Sequence, residues 1–117
     1  MHQLLIALIA FASLANAGQV DQSAALRALQ QPDAVLIDVR TEQEHAQGAL
    51  PGATRIETAD LAERITSIVP AKGTPVVLYC RSGSRSSAAQ DLLREMGYEK
   101  VYNAGGYEDL KGITPPR

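Results

Sequence analysis

Two stretches of this chain, Val35-Leu36-Ile37-Asp38-Val39 and Val76-Val77-Leu78-Tyr79-Cys80, are nearly continuous apolar runs rich in β-branched residues. A strand with one wet face alternates apolar and polar residues. A run without that alternation must be covered on both faces, as the inner strands of a parallel sheet are. The segments between the runs read as helices. Ala24, Ala25, Leu26 and Leu29 follow Asp21 or Ser23 as a possible N-cap, and Leu61, Ile65, Ile68 and Val69 recur at spacings of three and four before Pro70 ends the pattern. Ala88, Ala89, Leu92, Leu93 and Met96 line a further helical face, with Gly97 placed to take the left-handed conformation that closes it. Thr54-Arg55-Ile56 and Val101-Tyr102-Asn103 are weaker strand candidates. Strands alternating with helices imply crossover connections, so the fold class is α/β: a central, mostly parallel sheet with helices on both faces.

The chain has 117 residues and no break in composition after residue 17, so a single domain is expected over residues 18–117. Residues 1–17 differ: 13 are apolar and none is Asp, Glu, Lys or Arg. An apolar segment from Leu4 to Leu14 followed by Ala15-Asn16-Ala17 has the pattern of a secretory signal peptide cleaved after Ala17. That segment is too short to cross a bilayer. The expected location is periplasmic or otherwise secreted, with no membrane attachment after cleavage. The net charge of −2 comes with no basic cluster, and four tyrosines are the only aromatics apart from Phe11, which excludes nucleic acid as a partner. Cys80 is the one cysteine, so no internal disulfide forms. A lone thiol in an exported chain is either an inert core residue or a reactive group, and if exposed it would also link two chains.

The residues after Cys80 decide between those readings. Cys80 ends the most apolar strand, and ligands of open parallel sheets sit beyond the carboxyl ends of the strands. Cys80-Arg81-Ser82-Gly83-Ser84-Arg85 then leads into a helix expected to begin near Ser86. Gly83 permits a positive φ that turns successive N–H groups inward, and the helix N-terminus points its unpaired N–H groups at the same place. Arg81 and Arg85 add two permanent positive charges. Such a cradle stabilises a thiolate and holds an oxyanion against it. Turn chemistry alone accounts for Gly83 and the serines, but not for two arginines flanking the thiol.

Three ordered blocks of this sequence resemble the rhodanese-like sulfurtransferases. The first is Ile37-Asp38-Val39-Arg40-Thr41, with Glu42 and Glu44 following and Gly48-Ala49-Leu50-Pro51-Gly52-Ala53 beyond; the second is the loop from Cys80 to Arg85. The third runs from Glu95-Met96-Gly97-Tyr98 to Asn103-Ala104-Gly105-Gly106, similar to the family's last strand and its Gly-Gly turn. Ala49 stands where the family signature has His, His45 where it often has Phe or Tyr, and Tyr107 where many members carry Trp, Met or another apolar residue.

The resemblance implies a single rhodanese-like domain of the small exported type. Cys80 would be the nucleophile, and Arg81, Ser82, Gly83, Ser84 and Arg85 would bind the substrate. The activity implied is thiosulfate sulfurtransfer through a Cys80 persulfide to cyanide or a thiol, by a monomer with a small-molecule donor and a thiophilic acceptor. No metal or organic cofactor is called for. A sulfur carrier without turnover would use the same cysteine. A Cys-dependent phosphatase or arsenate reductase usually places five residues between Cys and Arg, where this chain has four, Arg81 to Ser84. Asp38 and Arg40 end the first apolar strand, and either fix the loop through hydrogen bonds or form a structural ion pair. His45 is expected as a surface or packing residue, Glu42 and Glu44 as solvated carboxylates of a first helical turn, and Met96 as core.

Overall fold

The computed structural model describes residues 19–117; the leader expected over residues 1–17 lies outside them. Helix α1 (Gln22–Ala28) starts where the Asp21 carboxylate accepts a hydrogen bond from the Ala24 N–H at 3.0 Å, so Asp21 rather than Ser23 is the cap. Strand β1 (Val35–Asp38) is followed by the short α2 (Glu42–Gln47), β2 (Thr54–Arg55) and α3 (Thr58–Ile68). Strand β3 (Val76–Cys80), α4 (Ser84–Glu95), β4 (Val101–Gly106) and α5 (Tyr107–Leu110) complete the domain. Thr41 caps α2 reciprocally: its hydroxyl accepts from the Glu44 N–H while the Glu44 carboxylate accepts from the Thr41 N–H.

The sheet order is β2-β1-β3-β4, and each of these pairings is parallel. The two most apolar runs are its inner strands, as burial on both faces requires. Side chains alternate across the sheet. Ile37, Val39, Leu78 and Cys80 pack towards Leu61 and Ile65 of α3 and Leu93 of α4. Leu36, Val77 and Tyr79 pack towards Ala25 and Leu29 at the α1 side and Leu110 of α5. Helices therefore cover both faces. Gly97 has the expected positive φ of 98°, and Met96 is half-buried against the core. Among the described residues, no helix is long and apolar enough to cross a membrane.

Strand β4 departs from the sequence reading. The pair Gly105-Gly106, expected as a turn, lies within the strand. The register with β3 shifts after Leu78↔Asn103, so that Tyr79 faces Gly105 and Cys80 faces Gly106. Ala104 is the extra residue of a β-bulge, and Gly105 takes the φ of 100° the bulge needs. The bulge carries β4 alongside the last two residues of β3, where the loop after Cys80 begins.

Candidate active site

Cys80 closes β3, and the chain turns at once into α4, which begins at Ser84, two residues earlier than expected. Gly83 is the residue before the helix, with a φ of 102° that an L side chain rarely adopts. This conformation aims the Gly83 N–H at Cys80 Sγ, at 2.9 Å. The Ser86 hydroxyl lies 3.3 Å from the same sulfur. Gly106 makes room for the turn: a Cβ there would lie 2.6 Å from the Arg81 carbonyl oxygen. The Gly-Gly pair thus serves close backbone approach between β4 and the loop rather than chain reversal.

Cys80 is completely buried, so the exposed thiol that might have linked two chains is not what the loop presents. Burial alone would push its thiol up. The Ser86 hydroxyl and the N–H groups of Ser86, Gly83 and Ser82 outweigh that and hold the thiol below its ordinary range. A thiolate formed there meets a shell of donors that water does not have to supply.

Arg85 leaves the first turn of α4 and meets Glu44 of α2 in a two-pronged pair, Nη1 to Oε1 at 2.8 Å and Nη2 to Oε2 at 3.0 Å. Glu44 is therefore not the solvated carboxylate its first-turn position suggested. It is held by the arginine that closes the loop after Cys80, 41 residues away. The Arg85 guanidinium, with help from Thr41, lowers the Glu44 carboxyl to about 2. A carboxyl with a depressed folded pKa contributes stability above its unfolded value and loses it as pH falls through the folded one. Glu44→Gln is thus expected to shrink the loss of stability that the wild-type domain suffers between its ordinary value of 4.5 and about 2. Urea midpoints at neutral pH and near pH ~3 check this; equal acid losses in both proteins would refute the coupling.

At the end of β1, Asp38 is fully buried and organises a second cluster. Arg40 donates to both its oxygens, at 3.0 and 2.8 Å, and the Arg40 N–H donates at 2.9 Å. The Tyr79 hydroxyl donates at 2.8 Å and His45 Nδ1 lies 2.9 Å away. Burial alone would raise the Asp38 carboxyl, but the hydrogen bonds from Arg40, His45 and Tyr79 bring it below its ordinary range. Arg40 also donates to the Gly48 carbonyl, and its guanidinium lies 4.5 Å from the centre of the Tyr107 ring. Arg40, Tyr107, Glu44 and Arg81 line an open cleft of about 480 Å³ beside the loop.

The rhodanese-like domain, as a family, matches residues 21–112 of the chain. The chain belongs to the rhodanese-like domain family. It is similar to the thiosulfate sulfurtransferase PspE of Escherichia coli K12, with 42% identity over 74 residues, 63% of this chain and 71% of that protein. It is also similar to the thiosulfate sulfurtransferase GlpE of Tolumonas auensis, with 34% identity over 97 residues, 82% of this chain and 88% of that one. Among solved structures, a rhodanese with anions from E. coli superposes with a TM-score of 0.66 at 39% identity, covering 70% of this chain and 94% of that one.

In this rhodanese-like domain the six loop residues come together as one cradle, with Cys80 beneath it, Gly83 buried, and Arg81 and Ser82 exposed at its rim. Asp38 and Arg40 form the structural ion pair that was one of their two readings, tied to the segment after α2 rather than to Cys80. Three residues that the sequence did not assign to the site contribute to it: Glu44, expected as a solvated carboxylate, through Arg85, and Ser86 and Asn103 around the sulfur. Ser86 had a local signal, since it follows the loop in the first turn of α4. Asn103 had none, because its contact depends on β4 lying beside β3.

Proposed function

We propose that the domain is a thiosulfate sulfurtransferase with Cys80 as its nucleophile. Sulfur transfer is the activity class common to its named relatives. The observation that carries the reading is the buried Cys80 sulfur, ringed by the Ser86 hydroxyl, by the Gly83 N–H at 2.9 Å and by further backbone donors that hold its thiol below the ordinary range. The thiolate attacks the outer sulfur of thiosulfate. A new S–S bond forms as the old one breaks, sulfite leaves with the electron pair, and Cys80 is left as a persulfide. Cyanide or a thiolate then attacks the persulfide's outer sulfur and returns Cys80 as thiolate.

The loop N–H groups and the arginines supply what this displacement needs. Negative charge moves from the Cys80 sulfur to the departing sulfite, and donors already in place stabilise it without reorganising. Arg81, exposed at the rim, is placed to meet the donor's sulfonate. Arg85 shares its charge with Glu44, so its help to the donor depends on how far that pair loosens. The similar E. coli structure is described as a rhodanese with anions, which supports anion binding by this domain. The leader ending at Ala17 supports export, which would place the reaction in the periplasm or outside the cell.

The test is steady-state thiocyanate formation from thiosulfate and cyanide by the reduced full chain. Turnover with parallel double-reciprocal lines, the mark of a ping-pong relay, is the expected result. Persulfide loading without turnover would make the protein a carrier. Release of phosphate from an aryl phosphate in place of any sulfur loading would make it a phosphatase.

A further inference from the structure

Asn103 is fully buried and reaches from β4 into the loop with both ends of its carboxamide engaged. Its Nδ2 donates to the Gly83 carbonyl at 3.1 Å and to Ser87 Oγ at 2.8 Å. Its Oδ1 accepts from the Gly105 N–H at 3.0 Å and lies 2.7 Å from Ser86 Oγ. The donors on Nδ2 fix which end of the amide faces Ser86, so Ser86 meets an acceptor. Ser86 has a single hydroxyl proton and three acceptors within reach: Asn103 Oδ1, the Gly83 carbonyl at 3.1 Å and Cys80 Sγ at 3.3 Å.

The Gly83 carbonyl already accepts from the Ser87 N–H, the Ser87 hydroxyl and Asn103 Nδ2, which leaves the proton two resting places. A neutral thiol is a weak acceptor, and the proton then belongs on Asn103 Oδ1, the nearest oxygen. A thiolate or persulfide anion is a strong acceptor, and the hydroxyl turns to it. We propose that Asn103 is a positioning residue for Cys80: its carboxamide holds the Ser86 hydroxyl proton while the sulfur is neutral and yields it once the sulfur is anionic. Only one O–H bond rotates, and Ser86 neither gains nor loses a proton. Asn103 also fixes the Gly83 carbonyl, which anchors the peptide that shapes the turn. The inference rests on Cys80 being the reacting group.

The charged groups around Cys80 are Arg81 and Arg85 of the loop, Glu44 of α2 paired to Arg85, and the Asp38–Arg40 pair at the end of β1. Asp60, Glu63 and Arg64 of α3 face solvent. From β4 it is the neutral Asn103 that reaches the loop, so removing its side chain changes hydrogen bonding without changing charge.

The experiment uses Asn103→Ala, Ser86→Ala and the double variant in the full chain, each checked for a cooperative urea transition. Cys80 alkylation by iodoacetamide is followed against pH, which reads the thiolate whether or not sulfur transfer turns over. Ser86→Ala, which removes the donor, is expected to move the midpoint up by about one pH unit, whereas Asn103→Ala, which removes the acceptor competing for that proton while the sulfur is neutral, is expected to move it down. The double variant is expected to match Ser86→Ala alone, because Asn103 acts through Ser86. Additive shifts, or an unmoved or raised midpoint in a folded Asn103→Ala, overturn the proposal. If Asn103→Ala does not fold, the wild type and Ser86→Ala decide by NMR. The Asn103 side-chain amide and Gly105 N–H signals should follow the Cys80 titration in the wild type and lose most of that change in Ser86→Ala. Equal changes in both proteins overturn it.

Discussion

Cys80→Ser is expected to lower thiosulfate:cyanide sulfurtransferase activity by at least ~10³-fold, with no persulfide formed. Serine is nearly the same size and keeps a group for the Gly83 N–H to meet, so the loop has little reason to rearrange. What changes is chemistry. A hydroxyl at neutral pH is essentially un-ionised, whereas the Cys80 thiol is held below its ordinary range by the loop donors. An oxygen in that place also leaves no cysteine sulfur on which to build a persulfide. Intact mass after incubation with thiosulfate should show the wild-type chain heavier by one sulfur and the variant unchanged. Thiocyanate production by a folded Cys80→Ser protein would remove Cys80 from the reaction and the proposed function with it.

The second large effect concerns stability. Asp38→Ala is expected to cost about 3–5 kcal/mol, the range for removing one partner of a buried charged pair. Arg40 would remain, almost wholly buried and without its carboxylate, and the Tyr79 hydroxyl would lose its acceptor. The Tyr79 oxygen also accepts from the Leu50 N–H at 3.1 Å, so the strand end, the inner strand and the segment after α2 are released together. Domains of this kind are stable by only about 5–15 kcal/mol, so the variant should approach marginality. Urea unfolding at neutral pH measures it through the midpoint. The pH dependence carries a sign as well. Asp38 sits below its ordinary range, so its contribution is complete above that range and fades as pH falls through the folded value. The wild type should lose in acid an advantage that Asp38→Ala does not have to lose. A destabilisation under about 1 kcal/mol would mean that the cluster is solvated enough to lose Asp38 cheaply.

The two clusters divide the work at the carboxyl edge of the sheet. Asp38 points to the face covered by α1 and α5 and locks the frame. Cys80 belongs to the face covered by α3 and α4 and is the proposed nucleophile. Adjacent strands bring them side by side, since Asp38 pairs in register with Tyr79, the residue before Cys80. Alternation along β3 then sends Tyr79 to one cluster and Cys80 to the other. One strand end thereby serves two functions that do not compete for the same space.

Much of this was legible in the chain itself because it is written in contiguous residues. An apolar run long enough to form a strand and lacking a polar face can only be an inner strand, so the α/β class and the identities of β1 and β3 followed from local pattern. The loop from Cys80 to Arg85 is equally local: strand end, glycine with positive φ and helix start succeed one another within six residues. Pairing across the sheet was not available from such patterns. Glu44 has a complete local explanation as the N3 residue of a capping box, and nothing in its neighbourhood points to Arg85. Only the packing of α2 beside the loop decides that its carboxylate neutralises that arginine. The glycine pair after Ala104 stands where the family resemblance implied a turn, yet the bulge draws both residues into β4 beside Cys80. Asn103 reaches Ser86 for the same reason. The sequence by itself therefore determined the layers of the fold and the strand-to-helix loop opened by Cys80, since both depend on neighbours in the chain. The burial of the sulfur and the partners of Arg85 and Ser86 were decided by the tertiary structure, because they depend on which strand and helix lie alongside.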